Sequence, residues 1–459
     1  MQNPLFIPEI REMLGRSDRR SLTEFCKHEH PAQIAEYLSP LERDEIWEVL
    51  RALSYVLRAE IFSHLPAHDQ VEIATSLRRI ELAKLVNEMP PDDRIDLLRK
   101  LPEETSDLLL PALAQAERDD VRRLASYPEG TAGSVMTTEY ATVPINATVE
   151  EALCTLRREA PDKETIYYAY IVDEQRRLIG FVSLKDIILA HPSMRICDIM
   201  HTEVISRNAS ADREDAARTI QRYDLIALPV VDNDNVLLGI ITHDDAVDII
   251  TQEHTEDLER LMAIGGSHDA ANYMPTSPWK HFLNRVPWLI GLAALGLLSG
   301  AVIMSFEETL TSFVILAFFM PMMADTGGNT GSQAATLVIR ALALREISPR
   351  DFLNVLGKEL CTALLLASVL SGLAFARVTF FTSNMSAPPG VDLVRVALAI
   401  ATALSLQVVS ATLIGASLPL IVAAFKKDPA VIASPALTTF VDISGLFIYF
   451  SVARWFLNI

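Results

Sequence analysis

The sequence predicts a multi-domain, polytopic α-helical membrane protein. It has an all-α superhelical N-terminal domain, a tandem pair of α/β domains and a five-helix transmembrane domain. Three observations lead to this fold class: charge is spread unevenly over the 459 residues, two repeats occupy the acidic first part, and five uncharged runs occupy the rest. The predicted boundaries are 1–130 for the helical domain, 131–197 and 198–254 for the α/β units, 255–278 for a connecting helix and 279–459 for the transmembrane domain.

The charge distribution separates a soluble part from a lipid-embedded part. Residues 1–275 hold 29 Lys and Arg against 50 Asp and Glu, a net charge of −21, whereas residues 276–459 hold 11 against 9. A helix needs about 20 mainly apolar residues to cross the hydrocarbon. Five crossings fit, with residues 326–339 extending the second. The uncharged runs are 286–306, 309–324, 360–376, 396–425 and 429–441.

Basic residues between the spans predict the orientation. They cluster in two connections, as Arg340, Arg345, Arg350 and Lys358 and as Lys426 and Lys427. The positive-inside rule then places the N-terminal part in the cytoplasm and the C-terminus outside, in the cell inner (plasma) membrane. The start, MQNPLFIPEIREML, predicts no cleaved signal peptide. We predict contact with membrane lipid and no nucleic-acid partner.

The N-terminal domain contains a helical repeat. Residues 61–77, IFSHLPAHDQVEIATSL, resemble residues 85–101, LVNEMPPDDRIDLLRKL, at an offset of 24. Both place apolar residues at helical spacing around a proline and an acidic helix start. Repeats of this length are typical of stacked helical hairpins.

A second repeat lies between residues 134 and 252. VDEQRRLIGFVSLKDI, from Val172, aligns with VDNDNVLLGIITHDDA, from Val231, so that Asp186 corresponds to Asp245. Each copy predicts two strands and then a helix opened by Ser183 or Thr242 with an acid three residues later, a capping box. The repeat resembles a pair of CBS domains, βαββα modules that act as sensors. That resemblance implies an adenosine nucleotide such as ATP, with Asp186 on the ribose, Lys185 on phosphate and Tyr168 for stacking. The alternative is that Asp186 only caps its helix.

Acidic residues become dense after this repeat. In HDDAVDIITQEHTEDLERLMAIGG, the residues Asp245, Asp248 and Glu256 fall roughly on one helical face. Such a run is most often a solvated face. However, a part with a charge of −21 repels itself, and divalent cations held by carboxylates would relieve that repulsion.

Two carboxylates lie inside the predicted spans. Asp442 follows Asp428 by 14 residues, about 21 Å along a straight helix, and a charge at such depth normally faces a pore or a partner. Asp325, Asn329 and Gln333 are spaced four apart in ADTGGNTGSQ and form one polar stripe. The stripe either lines a path or only bonds a neighbouring helix. The glycines beside it are expected to loosen the span and to allow close helix approach, and Pro435 is expected to free a backbone carbonyl near Asp442.

The whole chain resembles the MgtE family of magnesium channels. The features that carry the resemblance are the domain order, the TEDL segment at 255–258, PMMADTGGNTGSQAATLVIRAL and KDPAVIASPALTTFVDISG. The resemblance implies a homodimer, not an enzyme, whose pore holds hydrated Mg2+ on Asp442 with oxygens near Ser434, Thr438 and Gly445. It also implies that intracellular Mg2+ closes the pore by binding acids on the N-terminal and CBS domains. The matching acids are Asp93, Asp96, Asp245, Asp248, Glu253, Glu256, Asp257 and Asp428.

The resemblance does not fit every residue, and two other functions remain open. Asp325 stands where the family pattern is often uncharged, so its role is not given by the resemblance. One alternative is a CBS-gated transporter of another solute, such as Co2+ or Mn2+. The other is an intramembrane aspartyl protease, because Asp325-Thr326-Gly327 spells the tripeptide of that class.

Overall fold

The computed structural model describes residues 6–16, 18–113, 115–266, 273, 276–381, 392–429 and 434–458. The chain divides into two compact units, residues 1–253 with 271–275 and residues 254–270 with 276–459. The first unit holds the helical domain and the two α/β units. The second holds the hydrophobic helices.

Short helices at a constant interval build the N-terminal domain. From α3 onward they begin at positions 31, 43, 55, 67, 79, 91, 103 and 115. The predicted offset of 24 spans two of these intervals, which is one pair of helices, and the all-α prediction is confirmed. The helices are α1 Ile7–Gly15, α2 Arg19–His28, α3 Pro31–Leu38, α4 Arg43–Arg51, α5 Tyr55–Ser63, α6 Ala67–Ser76, α7 Arg79–Asn87, α8 Pro91–Lys100, α9 Glu103–Leu109 and α10 Gln115–Ala125.

Two buried arginines bind the C-terminal carbonyls of the preceding helix in the same way. Arg58 donates from Nε to the Leu50 carbonyl at 2.8 Å and from Nη2 to the carbonyls of residues 51 and 53. Arg94, three helices later, repeats the pattern on Val86 and on residues 87 and 89. The last carbonyls of a helix lack partners within it. Each guanidinium therefore satisfies the end of the preceding helix and fixes the stacking of successive helices.

The tandem α/β units have the predicted βαββα order. In each three-stranded sheet the first strand is parallel to the second and the second is antiparallel to the third. A shared apolar cluster containing Tyr140, Tyr170 and Ile240 joins the two sheets. The first unit comprises β1 Tyr140–Thr142, α11 Val149–Glu159, β2 Thr165–Val172, β3 Leu178–Ser183, α12 Leu184–Leu189 and α13 Ile196–Ile199. The second comprises β4 Arg207–Asn208, α14 Arg213–Tyr223, β5 Ala227–Val231, β6 Leu237–Thr242 and α15 His243–Leu261.

One glycine in each α/β unit is in close contact with the first residues of the other α/β unit. A Cβ at Gly239 would lie 2.6 Å from the Thr137 carbonyl, and a Cβ at Gly180 would lie 2.8 Å from the His201 carbonyl. Residues 137 and 201 occupy the same position in the two repeats. The sequence repeat is thus a reciprocal contact, and only glycine allows the backbones to approach so closely.

The predicted connecting helix over 255–278 is not a separate helix in the described residues. Residues 255–261 continue α15, which began at His243, and residues 262–266 are not helical. Residues 267–272, 274 and 275 lie outside the described ranges. Because the TEDL segment has no helix-breaking residue before it, the helix of the second α/β unit runs straight through it.

The second unit contains the predicted hydrophobic helices. Among the described residues, four are long and apolar enough to cross a membrane: α16, α19, α20 and α21. The fifth crossing, by α18, remains a prediction, because its 24 residues are long enough but its polar side chains lower the hydropathy. The helices are α16 Pro278–Ser305, α17 Glu307–Ser312, α18 Met320–Ala343, α19 Phe352–Phe381, α20 Leu393–Ala424 and α21 Ser434–Leu457.

Two expectations about these helices are wrong. The second span does not start near residue 309, because a short helix and a 3-10 segment precede α18, and α18 runs unbroken through the glycines expected to loosen it. Pro435 is the second residue of α21. The carbonyl that it was expected to free is that of residue 431, which lies outside the described residues, so this expectation stays a prediction.

The expected close helix approach is present. A Cβ at Gly415 on α20 would overlap the backbone of Gly331 on α18. Small residues at such crossings let helix backbones come into contact in a membrane. α18 and α20 therefore form a tight pair, against which α21 also packs.

Candidate cation sites

Asp442 lies eight residues into α21, about 12 Å along the helix axis. Its side chain is half-buried, and among the described atoms Oδ1 is buried without a hydrogen-bond donor. Asp325 on α18 lies close enough for its charge to act on Asp442. A buried acceptor without a partner is costly, so a cation or its water would stabilise this carboxylate.

Small residues and hydroxyls surround this carboxylate. A Cβ at Gly328 on α18 would lie 3.4 Å from Asp442 Oδ1 and 2.6 Å from Thr438 Cγ2. The hydroxyls of Thr438 and Ser332 form a hydrogen bond of 3.1 Å between α21 and α18. Thr438, predicted as a pore residue, thus lies on the same side of α21 as Asp442, close to Gly328. Ser434 is the first residue of α21, and its side chain lies outside the described residues.

The polar stripe on α18 is exposed, whereas the glycines beside it are buried. Asp325, Asn329 and Gln333 are all exposed, while Gly327, Gly328 and Gly331 are buried against α20 and α21. Bonding to a described helix of the same chain is therefore not the role of the stripe. In a membrane these side chains need water or a second protein surface.

Gln407 on α20 belongs to this region and was missed in the sequence. It is 1% exposed, donates from Nε2 to the Val441 carbonyl at 3.2 Å, and touches the positions of Gly327 and Gly445. Gly445, predicted as a carbonyl ligand, is buried against this amide. The sequence could have pointed to this residue, because Gln407 is the only side-chain amide in the apolar run 396–425.

A cluster of carboxylates lies in the first unit, where α8 meets the start of α15. Asp93 and Asp245, both predicted as regulatory ligands, act electrostatically on each other. Asp92 and Glu164, which were not predicted, belong to the same cluster, because the charges of Asp93 and Asp245 act on both of them. The sequence offered no reason to choose Asp92 beside its neighbour Asp93 in PPDDR. Glu164 is far from both in sequence, so its approach to them could not be predicted.

Burial and like charge raise the pKa values of this cluster. Burial is the largest cause throughout. It raises the pKa of Asp93 to about 6, and the charges of Asp96 and Asp244 add to the effect. The pKa of Asp245 also rises to about 6, against a hydrogen bond from Thr242 that lowers it. The pKa of Glu164 rises to about 7, helped by Asp245, and that of Asp92 lies well above its usual value.

The cluster has features of a divalent-cation site. Among the described atoms, Asp92 Oδ1 is buried without a hydrogen-bond partner. Within the described ranges, however, no three His, Cys, Asp or Glu side chains converge closely enough to ligate one ion directly. Mg2+ keeps several waters and uses one or two carboxylates, so it fits this arrangement better than a cation that needs a full protein cage.

The other predicted regulatory acids are distributed along the same elements. Asp96 has an exposed side chain. Even so, the protein around it displaces part of its water, and this desolvation is the main cause that raises its pKa. The pKa of Asp248 is raised by burial and then by Asp244. Glu253 is bound by Arg213 at 2.8 Å and does not join the cluster.

Three predicted acids belong to the second unit. Glu256 forms an ion pair with Arg260 one turn later on α15, and Asp257 is half-buried beside it. Asp428, in the connection after α20, is bound by Arg260 at 2.9 Å. The Arg260 guanidinium therefore forms ion pairs with both Glu256 and Asp428, two predicted cation ligands.

The predicted nucleotide residues lie at the start of α12. Asp186 N donates to Ser183 Oγ at 3.1 Å and Ser183 N donates to Asp186 Oδ2 at 3.2 Å, which confirms the capping box. Asp186 also accepts from Ser183 Oγ at 2.5 Å and lies 3.1 Å from His201 Nε2. Although burial opposes it, these hydrogen bonds lower the pKa of Asp186. Lys185 is exposed next to it. Tyr168 packs edge-on against Phe181, and Phe181 stacks on His201. These three rings form an aromatic wall. Asp186 contacts its His201 end, so Tyr168 and Asp186 lie at the same wall.

Comparison with protein families gives three matches. Residues 320–452 match the family described as MgtE, divalent cation transporter. Residues 29–130 match the MgtE intracellular N domain. Residues 132–192 and 196–252 match the CBS domain.

Curated relatives and solved structures agree with these matches. The chain is 40% identical to the magnesium transporter MgtE of Thermus thermophilus over 98% of both chains, and 36% identical to that of Bacillus subtilis over 76% of this chain and 74% of that one. It is similar to a crystal structure of the soluble part of a magnesium transporter, with 32% identity and a TM-score of 0.52, covering 54% of this chain and 97% of that one. It is also similar to the cytosolic domain of the Mg2+ channel MgtE in complex with ATP, with 38% identity and a TM-score of 0.50, covering 52% and 98%.

Proposed function

The chain belongs to the MgtE family of divalent cation transporters, and on that premise we propose that it is a Mg2+ channel whose pore is built around Asp442. Ions pass down their gradient and the membrane potential, which contributes about 2.3 kcal/mol per unit charge per 100 mV. Family membership favours transport over the intramembrane protease.

The observation that carries this proposal is the environment of Asp442. One carboxylate with an unpartnered oxygen lies beside Gly328, Thr438 and Ser332 inside a hydrophobic helix bundle. Mg2+ loses its water reluctantly, so a pathway for it needs few charges and several weak oxygen contacts. Asp442 supplies the charge, and the hydroxyl and carbonyl oxygens near Thr438, Gly445 and Ser434 contact the water around the ion.

Two copies of the chain form the pore. The exposed stripe of Asp325, Asn329 and Gln333 is too polar to face lipid, and no described residue of α16 is buried within its own chain. A homodimer places both surfaces against protein or water. The N-terminal unit lies in the cytoplasm, and the C-terminus lies outside the inner (plasma) membrane.

Intracellular Mg2+ closes the channel at the acidic cluster. Asp92, Asp93, Glu164 and Asp245 repel one another when ionised, so a divalent cation stabilises the arrangement in which they lie together. Asp96 and Asp248 add charge nearby. Glu253, Glu256, Asp257 and Asp428 are further ligands outside the cluster, and Mg2+ competes there with Arg213 for Glu253 and with Arg260 for Glu256 and Asp428. When Mg2+ is low, the repulsion separates the domains and releases the pore. ATP at Tyr168, Lys185 and Asp186 modulates this equilibrium.

The direct test is Mg2+ flux into liposomes that contain only the purified full-length protein. We expect influx that falls as internal Mg2+ rises, and Asp442→Asn should abolish it. Ser368→Ala is the control, because Ser368 is exposed on α19, away from this site, and donates to the Leu365 carbonyl of its own helix. Wild-type flux through Asp442→Asn would refute the pore assignment. Faster passage of Co2+ or Mn2+ than of Mg2+ would favour the alternative cations.

A further inference from the structure

A buried amide lies at the junction of the three helices that build the candidate pore. Gln407 on α20 is 1% exposed, and among the described atoms its Oε1 has no hydrogen-bond partner. Burying such a group in an apolar bundle is unfavourable unless its hydrogen bonds are made. An apolar side chain of the same size would avoid this cost, so the amide needs a reason beyond packing.

The bond that Gln407 does make is to the backbone at Asp442. Its Nε2 donates to the Val441 carbonyl at 3.2 Å, and Ser444 Oγ donates to the same carbonyl at 3.0 Å. That carbonyl belongs to the peptide group that joins Val441 to Asp442. The peptide is therefore held both from α20 and from its own helix.

Two glycines leave room for the same amide because they have no side chain. A Cβ at Gly327 on α18 or at Gly445 on α21 would overlap the side-chain amide of Gln407. Gly327 precedes Gly328, whose Cα faces Asp442 Oδ1 and Thr438. One side chain thus contacts both helices at the level of the carboxylate and sets the distance between them.

We propose that Gln407 is a positioning residue for ion passage, which fixes the Val441–Asp442 peptide and the spacing of α18 and α21. This inference rests on the proposed function of Asp442. A carboxylate that binds Mg2+ through its water must stand at the correct distance from the hydrated ion. Ca2+ sheds water more readily and accepts irregular ligand geometry, so it depends less on this position. Gln407 therefore contributes to the preference for Mg2+ over Ca2+.

The test is Gln407→Leu in the full-length protein, with initial Mg2+ influx into liposomes measured against external Mg2+. Loss of one buried hydrogen bond should raise the half-saturating Mg2+ concentration about fivefold, with a smaller change in maximal flux. The ratio of Mg2+ to Ca2+ influx should fall. A purely structural defect would lower maximal flux through fewer folded channels and leave both other quantities unchanged.

Thr412→Val is the matched control, because Thr412 is also buried on α20 but donates to Val408 of its own helix, at 2.8 Å. It should leave the half-saturating concentration unchanged. Gln407→Met, which keeps an unbranched side chain, replaces the leucine variant if the latter does not fold. A wild-type half-saturating concentration and Mg2+ to Ca2+ ratio in the folded variant would overturn the proposal. Failure of Asp442→Asn to reduce flux would instead overturn the pore assignment itself.

A pair of substitutions tests the contact. Gly445→Ala alone should abolish flux, because its methyl group collides with Gln407. Adding Gln407→Ala should restore flux, with the raised half-saturating concentration of the other Gln407 variants. Absence of restoration, or restoration with wild-type half-saturation, would contradict the positioning role.

Discussion

The chain uses carboxylates in two ways. In the first unit, Asp92, Asp93, Glu164 and Asp245 come from the helical domain and both α/β units and raise one another's pKa values. In the hydrophobic unit, Asp442 has only Asp325 as a charged neighbour acting on it and is otherwise surrounded by glycine and hydroxyl groups among the described residues.

The difference suggests why one arrangement suits sensing and the other conduction. The energy of the cluster depends strongly on whether its domains are together and whether a cation is present, because like charges at short range repel. A single carboxylate attracts an ion without holding it tightly, and conduction requires that the ion can leave. The following experiments test this contrast, beginning with the largest expected effect.

Removing two carboxylates from the cluster should impair sensing and spare conduction. For Asp93→Asn with Asp245→Asn, we expect the internal Mg2+ concentration for half-closure to rise on the order of a hundredfold, since two charge-assisted contacts are lost. Maximal flux at low internal Mg2+ should not change. Both quantities can be measured in liposomes with defined internal Mg2+.

The matched control is Glu174→Gln with Asp234→Asn, two exposed acids in the hairpin turns of the α/β units. It makes the same change in charge and should leave closure as in the wild type. If the control shifts closure equally, the effect would come from net charge and not from the cluster.

The two equivalent acids of the α/β repeat should differ in ligand. Asp186 lies beside His201 and an aromatic wall, whereas Asp245 lies among carboxylates. Asp186→Ala should weaken ATP binding about tenfold, the effect of losing a hydrogen-bonded charged partner. Titration calorimetry on the purified full chain can measure this. Asp198→Ala, which removes an exposed acid of the same α/β unit, should bind ATP as the wild type does. An unchanged affinity in Asp186→Ala would argue against this site.

The cluster also predicts a pH dependence. The folded pKa values of Asp93, Asp245 and Glu164 are about 6, 6 and 7, above those of the unfolded chain. Their contribution to stability is therefore complete below about pH 4 and is lost as pH rises through 6 to 7. Without divalent cations, the N-terminal unit should be cleaved by protease several times faster at pH 8 than at pH 5.5.

Added Mg2+ should remove most of this pH dependence, because it compensates the ionised carboxylates. Protease activity at each pH is calibrated on an unfolded substrate. Proteolysis that slows as pH rises in the absence of Mg2+ would contradict the expected direction of the effect.

The smallest expected effect concerns Asp325. Its side chain is exposed, so its charge is screened and is worth less than about 1 kcal/mol. Asp325→Asn should lower Mg2+ flux about threefold at low salt and less at high salt, measured at subsaturating Mg2+. A loss as large as that of Asp442→Asn would mean that the membrane site is a two-carboxylate site, which would weaken the contrast between the two regions.

The sequence predicted what depends on local pattern. The offset of 24 located the helical hairpins, and the Ser183 and Asp186 pair located a helix start that the structure confirms. The aligned α/β repeat also predicted both sheets. These features depend on neighbouring residues and on spacing, so a single chain carries enough information to find them.

The sequence did not predict what depends on distant partners. Asp92 and Glu164 join Asp245 only because three domains meet there, and Gln407 finds its glycines on two other helices. The glycines of α18 were expected to loosen the helix, yet tight packing on α20 and α21 keeps it continuous. A glycine in a membrane helix can serve flexibility or contact, and only the neighbouring helices decide which.

The constant interval between helix starts in the N-terminal domain restricts how this domain can change in length. Insertion or deletion of one interval would add or remove one helix and send the chain out of the opposite side of the stack. A change of two intervals keeps the direction of exit. Relatives with a longer or shorter helical domain ahead of the α/β units should therefore differ in length by whole pairs of helices, that is, by multiples of two intervals.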